Sequence, residues 1–177
     1  MDFRGITEFF KDTLKYIIVI VVVLVIVLYV VTLQQVVGPS MEPTLNDGDV
    51  LILNKFQYYL FDIKRNDVVS LKYDGSKYLI KRVIGLPGES IYYKDNVLYI
   101  NGNPYKENIV DGLVTEDFDL KDLGYDVIPE DMYLVLGDNR DNSLDSRSKE
   151  VGLIKKEDII GKVFIRIWPL NGFKLVK

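Results

Sequence analysis

Three groups of residues in this sequence have types and spacing that suit acyl-transfer chemistry. The first is Gly38-Pro39-Ser40-Met41-Glu42-Pro43-Thr44-Leu45, where a hydroxyl stands between two prolines. Each proline fixes its own φ and disfavours helix in the residue before it, pushing Gly38 and Glu42 towards extended backbone and presenting Ser40 on a stiff segment. A serine in this setting is otherwise a turn residue, and only a nearby base makes it a nucleophile. The sequence contains no His and no Cys, which excludes Ser-His-Asp triads, thiol nucleophiles, disulfides and imidazole- or thiolate-ligated zinc. The base is then a carboxylate or a lysine, and a lysine serves only where burial keeps it neutral.

Lys81 is placed for that role. In Tyr78-Leu79-Ile80-Lys81-Arg82-Val83-Ile84-Gly85, strand alternation puts it on the face of Leu79 and Val83, with Arg82 on the opposite face. Moving a lysine from a pKa of ~10.4 to neutrality takes roughly 4 kcal/mol, which desolvation in an apolar patch supplies. A strand lysine otherwise snorkels to solvent, but both faces of this strand are apolar and Gly85-Leu86-Pro87-Gly88-Glu89 ends it in a sharp turn. The third group runs from Gly137 to Arg147 as GDNRDNSLDSR. Read as a calcium loop it fails in both frames, because Arg140 falls on a ligand position in one and Ser146 on the required glycine in the other. What remains is a loop whose Asp and Arg residues can pair internally and fix Ser143, and a fixed hydroxyl can orient a lysine amine.

These groups need a frame. Tyr16 to Leu33 carries no charged residue and is almost entirely Ile, Val and Leu, long enough at ~1.5 Å per residue to approach the ~30 Å core of a bilayer. It predicts a transmembrane helix rather than a strand or a cleaved leader, since no small-x-small site follows it. Arg4, Lys11 and Lys15 precede the run and no Lys or Arg follows until Lys55. This predicts residues 1–15 in the cytoplasm, 16–33 in the membrane and 34–177 outside the cytoplasm.

From Asp49 the pattern becomes short runs of Val, Ile, Tyr and Leu between Gly, Asn, Asp and Pro, which predicts a β-rich domain. Strands are expected at 50–54, 68–73, 78–86, 90–93, 97–100, 132–136 and 160–168, with turns at Lys94-Asp95-Asn96 and Asn101-Gly102-Asn103. Residues 104–131 are acidic and less periodic, and read as a solvated excursion or small subdomain. With 177 residues, 48% of them hydrophobic, there is room for one domain with its own core. A net charge of -4 without Lys/Arg clusters argues against nucleic acid as the main partner.

The three groups also carry a resemblance. SMEPTL at Ser40, KRVIGLPG at Lys81 and the loop from Gly137 to Arg147 match, in order, the S-M-x-P-T-L, K-R-V/I-x-G-x-P-G and G-D-N-R-x-x-S-x-D-S-R boxes of bacterial type I signal peptidases. Gly48-Asp49-Val50 and residues 161–169 also look like that family, so the resemblance covers nearly the whole sequence. It implies a membrane-bound serine endopeptidase that cleaves signal peptides from exported preproteins after small-x-small sites. The implied chemistry is a Ser-Lys dyad working through an acyl-enzyme on an all-β catalytic fold behind one N-terminal transmembrane helix, with no cofactor or metal. By the same resemblance Ser40 is the nucleophile, Lys81 the general base, Ser143 the hydroxyl that orients the lysine, and Asp138, Arg140, Asp145 and Arg147 the supporting charges.

Some members carry a serine two residues before the nucleophile as an oxyanion donor. Here that residue is Gly38, which leaves the backbone amides of Ser40 and Gly38 as the expected donors. The stretch from Lys81 to Gly137 is short, as in compact Gram-positive members, and the enzyme is expected to act as a monomer at the bilayer, near the secretion machinery. Ser40 lies seven residues beyond Leu33, so it stands at most ~24 Å from the membrane core, the height at which a signal peptide presents its cleavage site. Val36, Val37, Met41, Leu45 and Ile80 are expected to form shallow substrate pockets, and extended backbone at 36–38 and 79–81 to bind substrate by strand addition. A self-cleaving repressor would share the dyad but would need a DNA-binding head where this sequence has its apolar run.

Overall fold

The computed structural model describes residues 3–75, 77–110 and 112–176, and it divides the apolar run among three elements. Helix α1 covers Phe3–Val25, a π-helical turn covers Ile26–Val30, and strand β1 covers Val31–Gln35. No described helix is long and apolar enough to cross a membrane. Lys11, Asp12 and Lys15 occupy the middle of α1, so its apolar part is only Tyr16–Val25. The expected helix over 16–33 is corrected at its end. Val31, Thr32 and Leu33 enter a strand because β2, Val50–Asn54, satisfies their backbone groups, in a register running from Val31 opposite Asn54 to Gln35 opposite Val50. The Lys55 amide extends that pairing by donating to the Val30 carbonyl at 2.8 Å.

The expected strands recur within a residue of their expected ends. They are β2, β3 (Val68–Tyr73), β4 (Lys77–Gly85), β5 (Ile91–Lys94), β6 (Val97–Ile100), β9 (Met132–Leu136) and β11 (Ile159–Trp168). Between and after them lie β7 (Asn103–Tyr105), β8 (Phe118–Asp119), β10 (Ile154–Lys155) and β12 (Lys174–Leu175), each too short to carry a period. A one-turn helix, α2, covers Gln57–Leu60. The strands form an antiparallel sheet in the order β1-β2-β11-β3-β4-β9-β10, with β12 on β11, and a smaller sheet in the order β7-β6-β5-β8.

Strand β3 is buried on both faces: Val68 joins a core with Met41, Leu45, Leu51 and Ile80, and Val69 joins another with Val83, Tyr133 and Val135. Strand β4 pairs with β3 from Lys77 to Arg82 but with β9 only from Arg82 onward. Its edge from Tyr78 to Lys81 therefore has no strand beside it on the β9 side among the described residues. The small sheet shares a core with the large one, in which Ile91, Tyr93, Leu98, Phe118, Leu120 and Ile128 pack with Ile84 of β4 and with Leu134 and Leu136 of β9. Phe118, Leu120 and Ile128, from the stretch expected to be a solvated excursion or small subdomain, are buried in that core.

Candidate active site

Ser40 follows the edge strand β1 in a loop closed by bonds from the Glu42 amide to Pro39 O at 3.0 Å and from the Leu45 amide to Met41 O at 2.8 Å. Gly38 has φ of 86°, a left-handed conformation that favours glycine, so the loop turns there instead of running extended as Pro39 alone suggests. Across from it, Lys81 lies in β4 opposite Val69. Its Nζ is 2.6 Å from Ser40 Oγ, and the residue is 1% exposed. Burial lowers the amine from 10.5 to about 8 against the opposing pull of the Asp145 and Asp138 carboxylates, with the Arg147 charge adding to the lowering. A neutral amine is therefore accessible near physiological pH, in contact with the hydroxyl it would deprotonate.

The charged loop is organised differently from the expected internal pairing. Asp138 accepts two bonds, at 2.8 and 2.7 Å, from Arg82 of β4, and both side chains are buried. Arg140 carries its terminal nitrogens out of the loop and pairs with Glu107 beyond β7 at 2.6 Å. Among the described residues, Arg147 and Asp145 are the one ion pair within the loop, through Nε to Oδ1 and Nη2 to Oδ2, both at 2.9 Å. Burial pushes Asp145 up, but the Arg147 bonds and charge together with the Gly137 amide outweigh it, and the carboxyl lies below its ordinary range. Asp145 in turn accepts from the Gly137 amide at 3.0 Å, which fixes the loop's first residue.

Ser143 does not bond Lys81. Its Oγ is buried near Asp145 and meets no partner in hydrogen-bond geometry among the described residues. Gly137 separates Ser143 from the Ser40 backbone. A methyl group on Gly137 would fall 2.6 Å from Ser143 Cβ, and closer still to Ser143 Oγ and the Ser40 carbonyl. Asn139 holds the same loop from the other side, its amide donating to Ser40 O at 3.0 Å and its Nδ2 to Pro39 O at 3.2 Å. Gly137, Asn139 and Arg82 thus belong to the site without being among the expected residues, although all three lie inside the motifs that carry it.

The two expected oxyanion donors separate. The Gly38 amide is engaged by Asp47 Oδ1 at 2.8 Å and is not available, whereas the Ser40 amide makes no hydrogen bond among the described residues. Beside the dyad runs a groove of about 200 Å³, lined by Val36, Val37, Met41, Leu79 and Ile80 as expected, together with Gln34, Gln35 and Tyr78. Leu45 is the exception: fully buried in the core under the loop, it lines no part of the groove. A larger cleft of about 660 Å³ between α2 and residues 155–160 includes none of the expected residues.

Comparison with known proteins gives a consistent picture. The family described as signal peptidase, peptidase S26, matches residues 8–168. A signal peptidase I of Bacillus caldolyticus is 42% identical over 145 residues, covering 77% of this chain and 79% of that protein. Signal peptidase IB of Staphylococcus aureus is 38% identical over 159 residues, 82% of each chain. A crystal structure of a signal peptidase I from Enterococcus faecalis superposes with a TM-score of 0.51 at 35% identity, covering 58% of this chain and 97% of that one.

Proposed function

The chain belongs to the signal peptidase family, peptidase S26, and is a serine peptidase hydrolase; from this premise we propose that it cleaves exported preproteins by a Ser40–Lys81 dyad through an acyl-enzyme. The observation that carries the reading is the 2.6 Å contact between a buried Lys81 Nζ and Ser40 Oγ. Neutral Lys81 takes the hydroxyl proton as Ser40 Oγ attacks the scissile carbonyl carbon. The oxyanion that forms is held by the Ser40 amide. The lysine ammonium then protonates the leaving amine, the C–N bond breaks, and the signal peptide remains as an ester on Ser40. Water, deprotonated by Lys81, attacks that ester and releases the acid while Ser40 regains its proton. A turn of the Ser143 hydroxyl from its place beside Asp145 towards Lys81 would steady the amine between these steps, and the Arg82–Asp138 and Asp145–Arg147 pairs hold β4 and the loop around it.

The groove suits an extended peptide. The residues before the scissile bond lie between the backbone at 35–37 and the open edge of β4 at 78–80, adding a strand to each. Small side chains fit the shallow lining of Val36, Met41 and Ile80, which favours small-x-small cleavage sites.

The same reading anchors the enzyme at the membrane as a monomer, with residues before Tyr16 in the cytoplasm and the β-rich part outside. Tyr16 to Val25 of α1 are 48–67% exposed, an apolar surface that lipid would cover. From Tyr16 to Val30 the helical path is about 22 Å, short of a ~30 Å core, so the bilayer has to thin or the helix has to extend on insertion. Phe56, Tyr59, Leu60 and Phe61 are also exposed and follow Lys55, which is bonded to the end of the helical segment. They suit the bilayer interface.

The test is to incubate the detergent-solubilised protein with a preprotein bearing an Ala-x-Ala site and to locate the cut by mass spectrometry. Cleavage after the second Ala is expected, with Ser40→Ala and Lys81→Ala folded and inactive. Substantial cleavage by folded Ser40→Ala would remove Ser40 as the nucleophile.

A further inference from the structure

Arg140 connects the catalytic loop to the small sheet through both terminal nitrogens of its guanidinium. Its Nη2 donates to Glu107 Oε1 at 2.6 Å and its Nη1 to Glu107 Oε2 at 3.2 Å. Nη1 also bonds Thr115 Oγ1 and, at 3.1 Å, the Tyr93 hydroxyl. Tyr93 closes the cycle by donating to Glu107 Oε2 at 3.0 Å. The Arg140 side chain is 1% exposed and that of Glu107 10%, so both charges are largely withdrawn from water and depend on each other. The backbone beside Thr115 is itself pinned, since Asn96 accepts from the Thr115 amide at 2.7 Å and donates to Leu113 O at 3.2 Å.

The rest of Arg140 is bonded within the loop from Gly137 to Arg147. Its Nε donates to Gly137 O at 3.1 Å, and its own carbonyl accepts from Arg147 Nη2 at 2.6 Å. Gly137 is the residue that separates Ser143 from the Ser40 carbonyl, and Arg147 is the partner of Asp145. A displaced Arg140 therefore releases both the spacer and the charge pair beside Lys81. We propose that Glu107, with Tyr93 and Thr115, is a positioning residue of the active site, acting through Arg140 on Gly137 and the loop that carries Ser143. The small sheet is on this view part of the catalytic apparatus, and the acidic segment that looked inert in the sequence supplies its essential counter-charge.

This inference rests on the peptidase reading above, and one experiment separates the two. The full-length protein in detergent is assayed on a peptide with an Ala-x-Ala site as wild type, Glu107→Gln, Glu107→Asp and Tyr93→Phe, with the folded fraction of each taken from urea unfolding. A wild type that does not cleave removes the reading itself. If the wild type cleaves, Glu107→Gln should lose about 10²-fold in kcat per folded molecule, the scale of a 1 Å misplacement. KM should stay within about twofold, because the groove residues are untouched. Glu107→Asp should regain part of the loss, and Tyr93→Phe, which removes a single hydroxyl, should lose several-fold by the same kcat-only pattern. Unchanged kcat per folded molecule in Glu107→Gln, or a loss explained wholly by a smaller folded fraction, would overturn the inference. Where Glu107→Gln does not fold, Tyr93→Phe decides: wild-type kcat in that variant overturns the inference equally.

Discussion

At the scale of single residues, spacing matters as much as chemistry. Ser40 and Lys81 are legible in the sequence because a histidine-free chain leaves few bases, and a lysine in an apolar strand has few places to go except the interior. Gly137 has no functional group and is equally constrained. Its replacement by Ala drives a methyl into Ser143 and the Ser40 carbonyl, and one of those obstacles is backbone that cannot rotate away. Gly137→Ala is expected to lower kcat by about 10²-fold and stability by roughly 1–3 kcal/mol, the cost of overpacking a tight site. Steady-state kinetics and urea midpoints read the two effects separately. A variant with wild-type kcat would mean that the loop shifts freely and that the spacing carries no catalytic weight.

At the scale of elements, the sheet shapes the groove by what it leaves unpaired. Strand β4 is bonded to β3 along Lys77 to Arg82, while among the described residues β9 covers its other edge only from Arg82 onward, which leaves the edge near Leu79 open to the groove. A substrate bound there spends its backbone amides on the enzyme, and N-methylating an amide just before the scissile bond should raise KM by about tenfold, the scale of one lost hydrogen bond, with little change in kcat. Methylation scanned along the peptide should give an alternating pattern, as strand pairing does; a flat response would rule out strand addition. Strands β2 to β6, β9 and β11 were legible from β-branched and aromatic runs between turn residues. Strand β1 was not, because Val31 to Leu33 continue an apolar run whose composition fits a helix equally well, and only the partner β2 decides. The Arg140–Glu107 pair was hidden for a related reason: 33 residues separate its members, and no local period links an acid beyond β7 to the catalytic loop.

At the scale of the whole molecule, the basic residues ahead of the apolar run and the catalytic part behind it make a topology that protease access on intact cells tests. The part after Val36 should be digested from outside; protection until the membrane is opened would reverse the orientation and with it the substrate class. The buried lysine has a consequence for the entire fold. Above 10.5 both folded and unfolded chains carry a neutral Lys81, and its burial adds no protonation penalty. As pH falls the unfolded chain takes up a proton that the folded chain refuses, and the penalty grows until the folded amine protonates at about 8, below which it is constant. At pH 7 the penalty is therefore nearly complete, about 3 kcal/mol for a lowering from 10.5 to about 8. Lys81→Met keeps an apolar stem and removes the charge, so it should be inactive yet at least as stable as wild type at pH 7, with its advantage shrinking towards pH 10. In the wild type kcat/KM should rise with a midpoint near pH 8, following the neutral amine. Denaturant midpoints of both proteins from pH 6 to 10, set beside that profile, join the two claims: a Lys81→Met protein much weaker than wild type at pH 7, or an activity maximum on the acid side of neutrality, would show a charged, structural lysine and end the dyad mechanism.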